Sequence, residues 1–317
     1  VECVVEKGDI VLLPWPTFGE YEMQCRIMGA ELQYPSQDEV EKLPDELLEK
    51  AKILFICNPN NPTGKLRTRE EIKALAERCT QHKTLLFVDE AFIELSDPSQ
   101  SVADLAVNNN YVFVMRSLTK DFAIPGIRMG FGIASPEVAE ILDTARLSWN
   151  LGTLADAVAT SLLNIEGGIE NPYLKKARDM IREEGEVFKA KLDRIRGFKA
   201  GEVNVNFILV DISKFMLDST ELTARLAARG VLIRDCSSLH GLGKDYIRLA
   251  VRTFEENDRI IAAIGDIITE WGREQAKQEL QNVIEKASEE GIGGRKTCEY
   301  YPCHFEGQKR RKSLELC

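Results

Sequence analysis

The stretch AKILFICNPNNPTG, residues 51–64, joins an apolar run to a turn, and it decides the fold class. The run is rich in β-forming side chains and is short enough for a strand buried on both faces. Two Asn-Pro pairs and a glycine then form a rigid turn, because proline fixes φ and glycine tolerates tight backbone conformations. Such a turn presents an asparagine amide, that of Asn61, toward a ligand.

The same alternation continues along the chain. The helical pattern TREEIKALAERCTQHK, residues 68–83, leads to the apolar run TLLFVDE, residues 84–90, and further runs follow at 111–117 and 129–134. Strands buried on both faces and connected through helices indicate an α/β domain with a mostly parallel sheet and helices on both faces. We therefore expect functional loops at the carboxyl ends of these strands.

The pattern changes twice, which predicts three parts. Residues 1–165 form a large α/β domain, and residues 166–272 contain a connecting helix and a small α+β domain. Residues 273–317 lose the β pattern and form a helical, cysteine-containing extension. With 317 residues the chain is long enough for two subdomains, since single cores stop growing near ~250–300 residues.

Charge and hydropathy exclude several partners. The net charge of −10 argues against nucleic acid, because a phosphate backbone attracts a basic face. No apolar run approaches the ~18 residues that span a bilayer, and the opening VECVVEKGDI lacks the features of a signal peptide. We expect a cytoplasmic protein without a membrane partner.

Four polar features follow successive strands. They are Asn61, Asp89 at the end of an apolar run, Ser117 with Lys120, and Arg128 between glycines. A carboxylate at a buried strand end is unfavourable unless a cation or hydrogen bonds meet it. Each feature alone has an ordinary explanation as a turn, a helix cap or a carboxylate contact.

The four features resemble those of the fold-type I pyridoxal-phosphate enzymes of the aminotransferase class I/II family. Pyridoxal phosphate needs an amine for a Schiff base, a carboxylate at its pyridine nitrogen, a donor to its phenolate oxygen and a cage for its phosphate. The resemblance implies a homodimer and the following roles: Lys120 as the catalytic Schiff-base lysine, Asp89 at the pyridine nitrogen, Asn61 at the phenolate oxygen, and Ser117 and Arg128 on the phosphate.

A second arginine-rich stretch, VLIRDCSSLHGLGKDYIRLAVRTFEEND at residues 231–258, bears on the substrate. Its arginines, Arg234, Arg248 and Arg252, carry more positive charge than one amino-acid carboxylate requires, so they predict a small substrate with both carboxylate and phosphate. The alternative is that they are surface arginines paired with acidic residues of the same stretch, namely Asp235, Glu255 and Asp258.

This stretch and Phe92, where many family members have tyrosine, resemble the L-threonine-O-3-phosphate decarboxylases of cobalamin biosynthesis. That resemblance implies release of CO2 and formation of (R)-1-amino-2-propanol phosphate. The related histidinol-phosphate aminotransferases are the first alternative. A catalytically impaired relative that acts as a binding partner is the second, because the N-terminal part usual in the family, with a phosphate-cupping turn and a ring-stacking aromatic residue, does not precede GDIVLLPWP, residues 8–16.

The tail contains four soft or borderline metal ligands, Cys298, Cys303, His304 and Cys317. Such side chains suit zinc or an iron–sulfur cluster, although their spacing is not that of a standard zinc finger. The alternative is a disordered basic tail with free thiols.

Overall fold

The computed structural model describes residues 1–289. Within them it places the strands β1 (Ile10–Leu12), β2 (Glu31–Gln33), β3 (Ala51–Cys57), β4 (Leu85–Asp89), β5 (Val112–Ser117), β6 (Gly130–Ile133), β7 (Lys199–Ala200), β8 (Phe207–Asp211), β9 (Arg234–Asp235) and β10 (Tyr246–Ala250). The helices are α1 (Gly19–Ile27), α2 (Asp45–Lys50), α3 (Arg69–His82), α4 (Ala103–Val107), α5 (Leu118–Asp121), α6 (Pro136–Ala145), α7 (Thr153–Leu163), α8 (Pro172–Leu192), α9 (Ser219–Ala227) and α10 (Phe254–Glu289).

Six strands form the larger sheet, in the order β2-β1-β3-β4-β5-β6. The first five run parallel, and β6 pairs antiparallel with β5. The sequence therefore predicts the α/β class and the mostly parallel sheet correctly. Since β3, β4 and β5 are parallel neighbours, their carboxyl ends lie at one edge, where Asp89 ends β4 and where the segments that carry Asn61 and Lys120 begin.

The apolar run of β3 is continuous because both of its faces are covered. Leu54 and Ile56 belong to one buried cluster together with Ile72 of α3. Phe55 belongs to a second cluster on the other face, which includes Tyr21 of α1. Alternation of side chains along a strand assigns neighbouring residues to opposite faces, so the helices pack on both sides of the sheet.

The helix α3 has well-defined ends that fix where β4 begins. Thr68 and Glu71 form a capping box, in which the Glu71 carboxylate accepts from the Thr68 backbone N–H at 2.7 Å. Lys83 ends the helix in the left-handed conformation, with φ of 58°. The chain then turns directly into β4.

A second, four-stranded sheet has the order β7-β8-β10-β9, and all of its pairs are antiparallel. It follows the long helices α7 and α8 and precedes α10, as expected for the predicted α+β part. One compact unit, Val1–Ile267, contains both sheets, and a second unit begins at Ile268. The proposed boundaries at residues 165 and 272 stay predictions. No helix in the described part of the chain is long and apolar enough to cross a membrane.

Candidate active site

Asp89 ends β4 with its carboxylate almost fully buried, at 4% exposure. Its Oδ1 accepts from the backbone N–H of Ala91 at 2.9 Å, and its Oδ2 accepts from the Tyr21 hydroxyl. Burial raises the pKa of Asp89, while the Tyr21 and Ala91 donors and the charge of Lys120 act in the opposite direction. The site thus contains a buried acceptor that would be stabilised by a cationic partner.

Tyr21 is the residue of this site that sequence reasoning missed. It lies on α1, is 6% exposed, and stacks on Phe55 with ring centroids 4.9 Å apart at 17°. Burial raises the pKa of Tyr21 well above its usual value, so the phenol keeps its proton. A signal was available, because α1 starts just after β1 and its first turn therefore lies at the carboxyl edge of the sheet.

Lys120 lies on the short helix α5, immediately after β5. Its Nζ donates to the Ser117 Oγ at 3.2 Å, and the Ser117 hydroxyl also contacts the Thr119 hydroxyl at 2.8 Å. The amine lies 5.6 Å from the centroid of the Phe92 ring, which packs edge-on against Phe207 at 5.3 Å. An amine, a hydroxyl and an apolar wall are thus brought together.

The loop after β3 is held by a buried arginine. Arg67, 1% exposed, donates its backbone N–H to Asn58 Oδ1 at 2.8 Å, and Asn58 Nδ2 donates to the Arg67 carbonyl at 3.0 Å. The guanidinium of Arg67 pairs with Glu41 at 2.9 Å. Asn61 in this loop accepts through Oδ1 from Arg248, so its amide N–H group is the part that can donate to a ligand.

The turn that carries Arg128 is brought to Ser117 by strand pairing. Ser117 of β5 pairs with Gly130 of β6, and the Leu118 N–H donates to the Met129 carbonyl at 3.2 Å. A Cβ on Gly130 would lie 2.7 Å from a backbone oxygen of β5, so glycine is required there. Arg128 itself is exposed and adopts φ of 55°, which is uncommon for a residue with a side chain.

Two of the three predicted substrate arginines are neighbours. Arg248 of β10 pairs in register with Arg234 of β9, so both side chains lie on the same face of the second sheet. Arg248 is half-buried, lies 4.7 Å over the Phe207 ring, and has its pKa lowered by burial. Arg234 is exposed, and its guanidinium donates to Ser238 Oγ at 3.3 Å.

Arg252 is placed differently. Its guanidinium is exposed and forms an ion pair at 2.9 Å with Glu256, which lies in the first turn of α10. Arg252 is therefore a surface arginine paired with an acidic residue of the same stretch, although its partner is Glu256 rather than Asp235, Glu255 or Asp258. Asp235 instead accepts from Ser219 at 2.7 Å.

The profile of the aminotransferase class I and II family matches residues 2–264. The chain belongs to this family. The chain is 31% identical over 274 residues to the histidinol-phosphate aminotransferase of Methanopyrus kandleri, a match that covers 84% of this chain and 67% of that protein. The predicted membership in the aminotransferase class I/II family, which consists of fold-type I pyridoxal-phosphate enzymes, is confirmed.

Solved structures agree on the fold. The histidinol-phosphate aminotransferase of Clostridium acetobutylicum superimposes with a TM-score of 0.73 at 26% identity, over 82% of this chain and 78% of that one. The L-threonine-O-3-phosphate decarboxylase of Porphyromonas gingivalis gives 0.72 at 23% identity, over 83% and 79%. The decarboxylase is thus similar in fold, whereas the sequence relatives support the aminotransferase alternative better than the decarboxylase reading that the sequence analysis ranked first.

The described side chains of this aminotransferase-family member match the polar groups of pyridoxal phosphate. The set contains an amine, a buried acceptor, an amide donor, a hydroxyl and a guanidinium, which are those of Lys120, Asp89, Asn61, Ser117 and Arg128. No group of three or more His, Cys, Asp or Glu side chains within residues 1–289 is placed to hold a metal. The predicted metal ligands Cys298, Cys303, His304 and Cys317 lie outside the described residues.

Proposed function

We propose that this chain is a pyridoxal-phosphate enzyme that transfers the amino group of a small phosphorylated amine of the histidinol-phosphate kind. The observation that carries the proposal is that Lys120 lies close enough for its charge to act on Asp89, which is buried and accepts two hydrogen bonds at the same edge of the sheet. The curated histidinol-phosphate aminotransferases among the relatives support transamination.

Within this proposal the chain's own residues have separate tasks. Asp89 would hold the pyridine nitrogen in its protonated form, the Asn61 amide would donate to the phenolate oxygen, and Ser117 and Arg128 would hold the phosphate. When bound, pyridoxal phosphate supplies an electron sink for charge developing at the substrate Cα. Lys120 would supply the amine that anchors the cofactor and would move a proton at that carbon.

The neighbouring arginines provide the substrate end of the site. Arg248 and Arg234 share one face of the second sheet, and a guanidinium fork suits carboxylate or phosphate. Arg248 also donates to Asn61, so the anion-binding face continues into the cofactor loop. We propose that Arg248 grips the anionic group nearer the reacting carbon and that Arg234 extends the grip outward. Arg252 would contribute to substrate binding from an exposed position, where its guanidinium is paired with Glu256.

Decarboxylation of L-threonine O-3-phosphate is the second candidate, and Phe92 favours it. The Phe92 ring lies beside the Lys120 amine and offers no hydroxyl to the phenolate oxygen of a cofactor. This departs from the tyrosine that the sequence analysis expects in aminotransferases. A catalytically impaired binding protein is the remaining alternative.

One assay separates the three candidates. Purified protein with added pyridoxal phosphate is given histidinol phosphate with 2-oxoglutarate, and separately L-threonine phosphate, and glutamate and CO2 are measured. Glutamate without CO2 supports transamination, and CO2 with an amine product supports decarboxylation. A wild-type protein that neither binds the cofactor nor forms either product would refute the enzymatic proposal. Light scattering tests the proposed homodimer independently.

A further inference from the structure

Three titratable side chains meet where β3, β4 and α1 converge. Tyr21, Cys57 and Asp89 are 6%, 2% and 4% exposed, and Cys57 is paired in register with Asp89 across the parallel strands. Cys57 directs its thiol to the Pro59 carbonyl at 3.3 Å. The Tyr21 hydroxyl is therefore the side-chain donor that faces the Asp89 carboxylate from α1.

We propose that Tyr21 is a positioning residue that keeps Asp89 ionised and fixes the direction of its remaining lone pairs. This rests on the proposed function only in naming the ring nitrogen of pyridoxal phosphate as the group that the carboxylate would meet. The Ala91 N–H fixes Oδ1 from the backbone, and the Tyr21 hydroxyl fixes Oδ2 from helix α1.

The direction of the Tyr21 hydrogen bond is determined by burial. A buried phenol that keeps its proton can serve a carboxylate only as a donor, and a carboxylate can only accept. The stacking of the Tyr21 ring on Phe55 limits rotation of the phenol, so the hydroxyl stays aimed at Asp89. Stacking on Phe55 thus fixes the position of the Tyr21 hydroxyl, whereas burial keeps it protonated and therefore a donor.

Several charged or titratable groups besides Tyr21 act on the Asp89 carboxylate. Lys120 of α5 favours the ionised form, Glu90, the residue that follows β4, opposes it, and burial opposes it most. Cys57 of β3 lies close enough to couple electrostatically to Asp89. Because burial favours the neutral acid, loss of a single donor should move the carboxyl toward a protonated state that cannot neutralise a cationic ring.

The test uses the cofactor-free protein and the substitution Tyr21→Phe, which keeps the stacked ring and removes only the hydroxyl. The carboxyl 13C signals of labelled aspartates are titrated, and Asp89→Asn assigns the signal of Asp89. A hydrogen bond to a charged group is worth about 1.5–3 kcal/mol, so the apparent pKa of Asp89 should rise by about 1–2 units, a roughly 10- to 100-fold gain in proton affinity.

Tyr34→Phe is the matched control. It also removes one phenol hydroxyl, but the Tyr34 hydroxyl donates at 3.0 Å to Glu22 of α1 and not to Asp89. An unchanged Asp89 titration in Tyr21→Phe would overturn the inference. Should that variant fail to fold, the reciprocal measurement applies: Asp89→Asn must lower the pKa of Tyr21 in an ultraviolet titration, and no change would refute the contact.

Cofactor binding then separates this inference from the proposed function. In Tyr21→Phe the affinity for pyridoxal phosphate should fall about 10-fold near neutral pH and recover as rising pH ionises Asp89 again, whereas Tyr34→Phe should bind like the wild type. A wild type that does not bind pyridoxal phosphate at all would refute the proposed function, while the titration of Asp89 would still decide the role of Tyr21.

Discussion

Asp121 follows Lys120 directly and should make the stability of this protein fall steeply as pH rises. Its carboxyl is 6% exposed and lines a cavity of about 210 Å³ with apolar side chains that include Phe122 and Phe131. Its Oδ1 has no hydrogen-bond partner in the described part of the chain. Burial raises the pKa of Asp121 to about 8, and the nearby Glu94 adds to this effect.

The magnitude follows from the difference between folded and unfolded pKa values. In the unfolded chain Asp121 ionises near pH ~3.9, whereas in the folded protein it stays protonated up to about pH 8. The contribution of Asp121 to the free energy of unfolding is therefore fully present below about pH 4. It is lost progressively as pH rises, until pH exceeds the pKa of Asp121 in the folded protein. At about 1.4 kcal/mol per pH unit, the loss between pH 4 and pH 7 is roughly 4 kcal/mol.

Urea unfolding of the cofactor-free protein at several pH values measures this loss. Asp121→Asn cannot ionise, so its stability relative to the wild type should increase by about 1.4 kcal/mol for each pH unit between 5 and 7. Asp143→Asn, at an exposed carboxyl that pairs with Arg146 at 3.0 Å, is the control and should show no such slope. If Asp121→Asn differs from the wild type by the same amount at every pH, the buried-acid reasoning is wrong.

Three further outcomes are expected of the site. Lys120→Ala should abolish product formation and the visible absorption change on adding pyridoxal phosphate, whereas the helix-surface variant Lys175→Ala should keep both; activity in Lys120→Ala would contradict the assignment. Arg248→Ala should raise the KM for a phosphorylated substrate about 10- to 100-fold. Arg252→Ala should raise the KM less, because Arg252 is exposed and already paired with Glu256. Equal increases of KM for the two variants in steady-state kinetics would contradict this ranking. Phe92→Tyr should lower the midpoint of the visible pH titration of the bound cofactor, since a donor favours the ionised phenolate, and an unchanged midpoint would exclude that contact.

Local pattern was sufficient to predict much of the fold. The apolar runs that became β3 and β4 were short, β-rich and separated by a capped helix, and those properties depend on neighbours in sequence. The antiparallel direction of β6 was not predicted. This strand has only four residues, two of them glycines, and such a short pattern does not indicate whether a strand runs parallel or antiparallel to its neighbour. The carboxyl edge of the sheet followed from topology, so Asp89 and Lys120 were found as strand-end residues.

Tyr21 was missed for a different reason. Its contact with Asp89 joins residues 68 positions apart, and no spacing rule connects a residue of α1 to the end of β4 when β2, α2, β3 and α3 lie between them. Arg252 shows the opposite limit. Three arginines in one stretch suggested one site, yet the guanidinium of Arg252 pairs with Glu256 in the first turn of α10. The roles of Asn61, Ser117 and Arg128 stay predictions that the cofactor assays above address.

The hydrogen bond from Arg248 to Asn61 has a thermodynamic consequence. It connects the second sheet to the loop after β3, and the Asn204 side chain adds a second link by donating to the Gly64 carbonyl at 2.9 Å. An anion that draws Arg248 toward itself alters the hydrogen bonding of Asn61, and a ligand that engages Asn61 alters Arg248 in return. By linkage the two coupling free energies must be equal. If a ligand bound at Arg248 changes the affinity of a ligand bound at Asn61 by some factor, the second ligand must change the affinity of the first by the same factor.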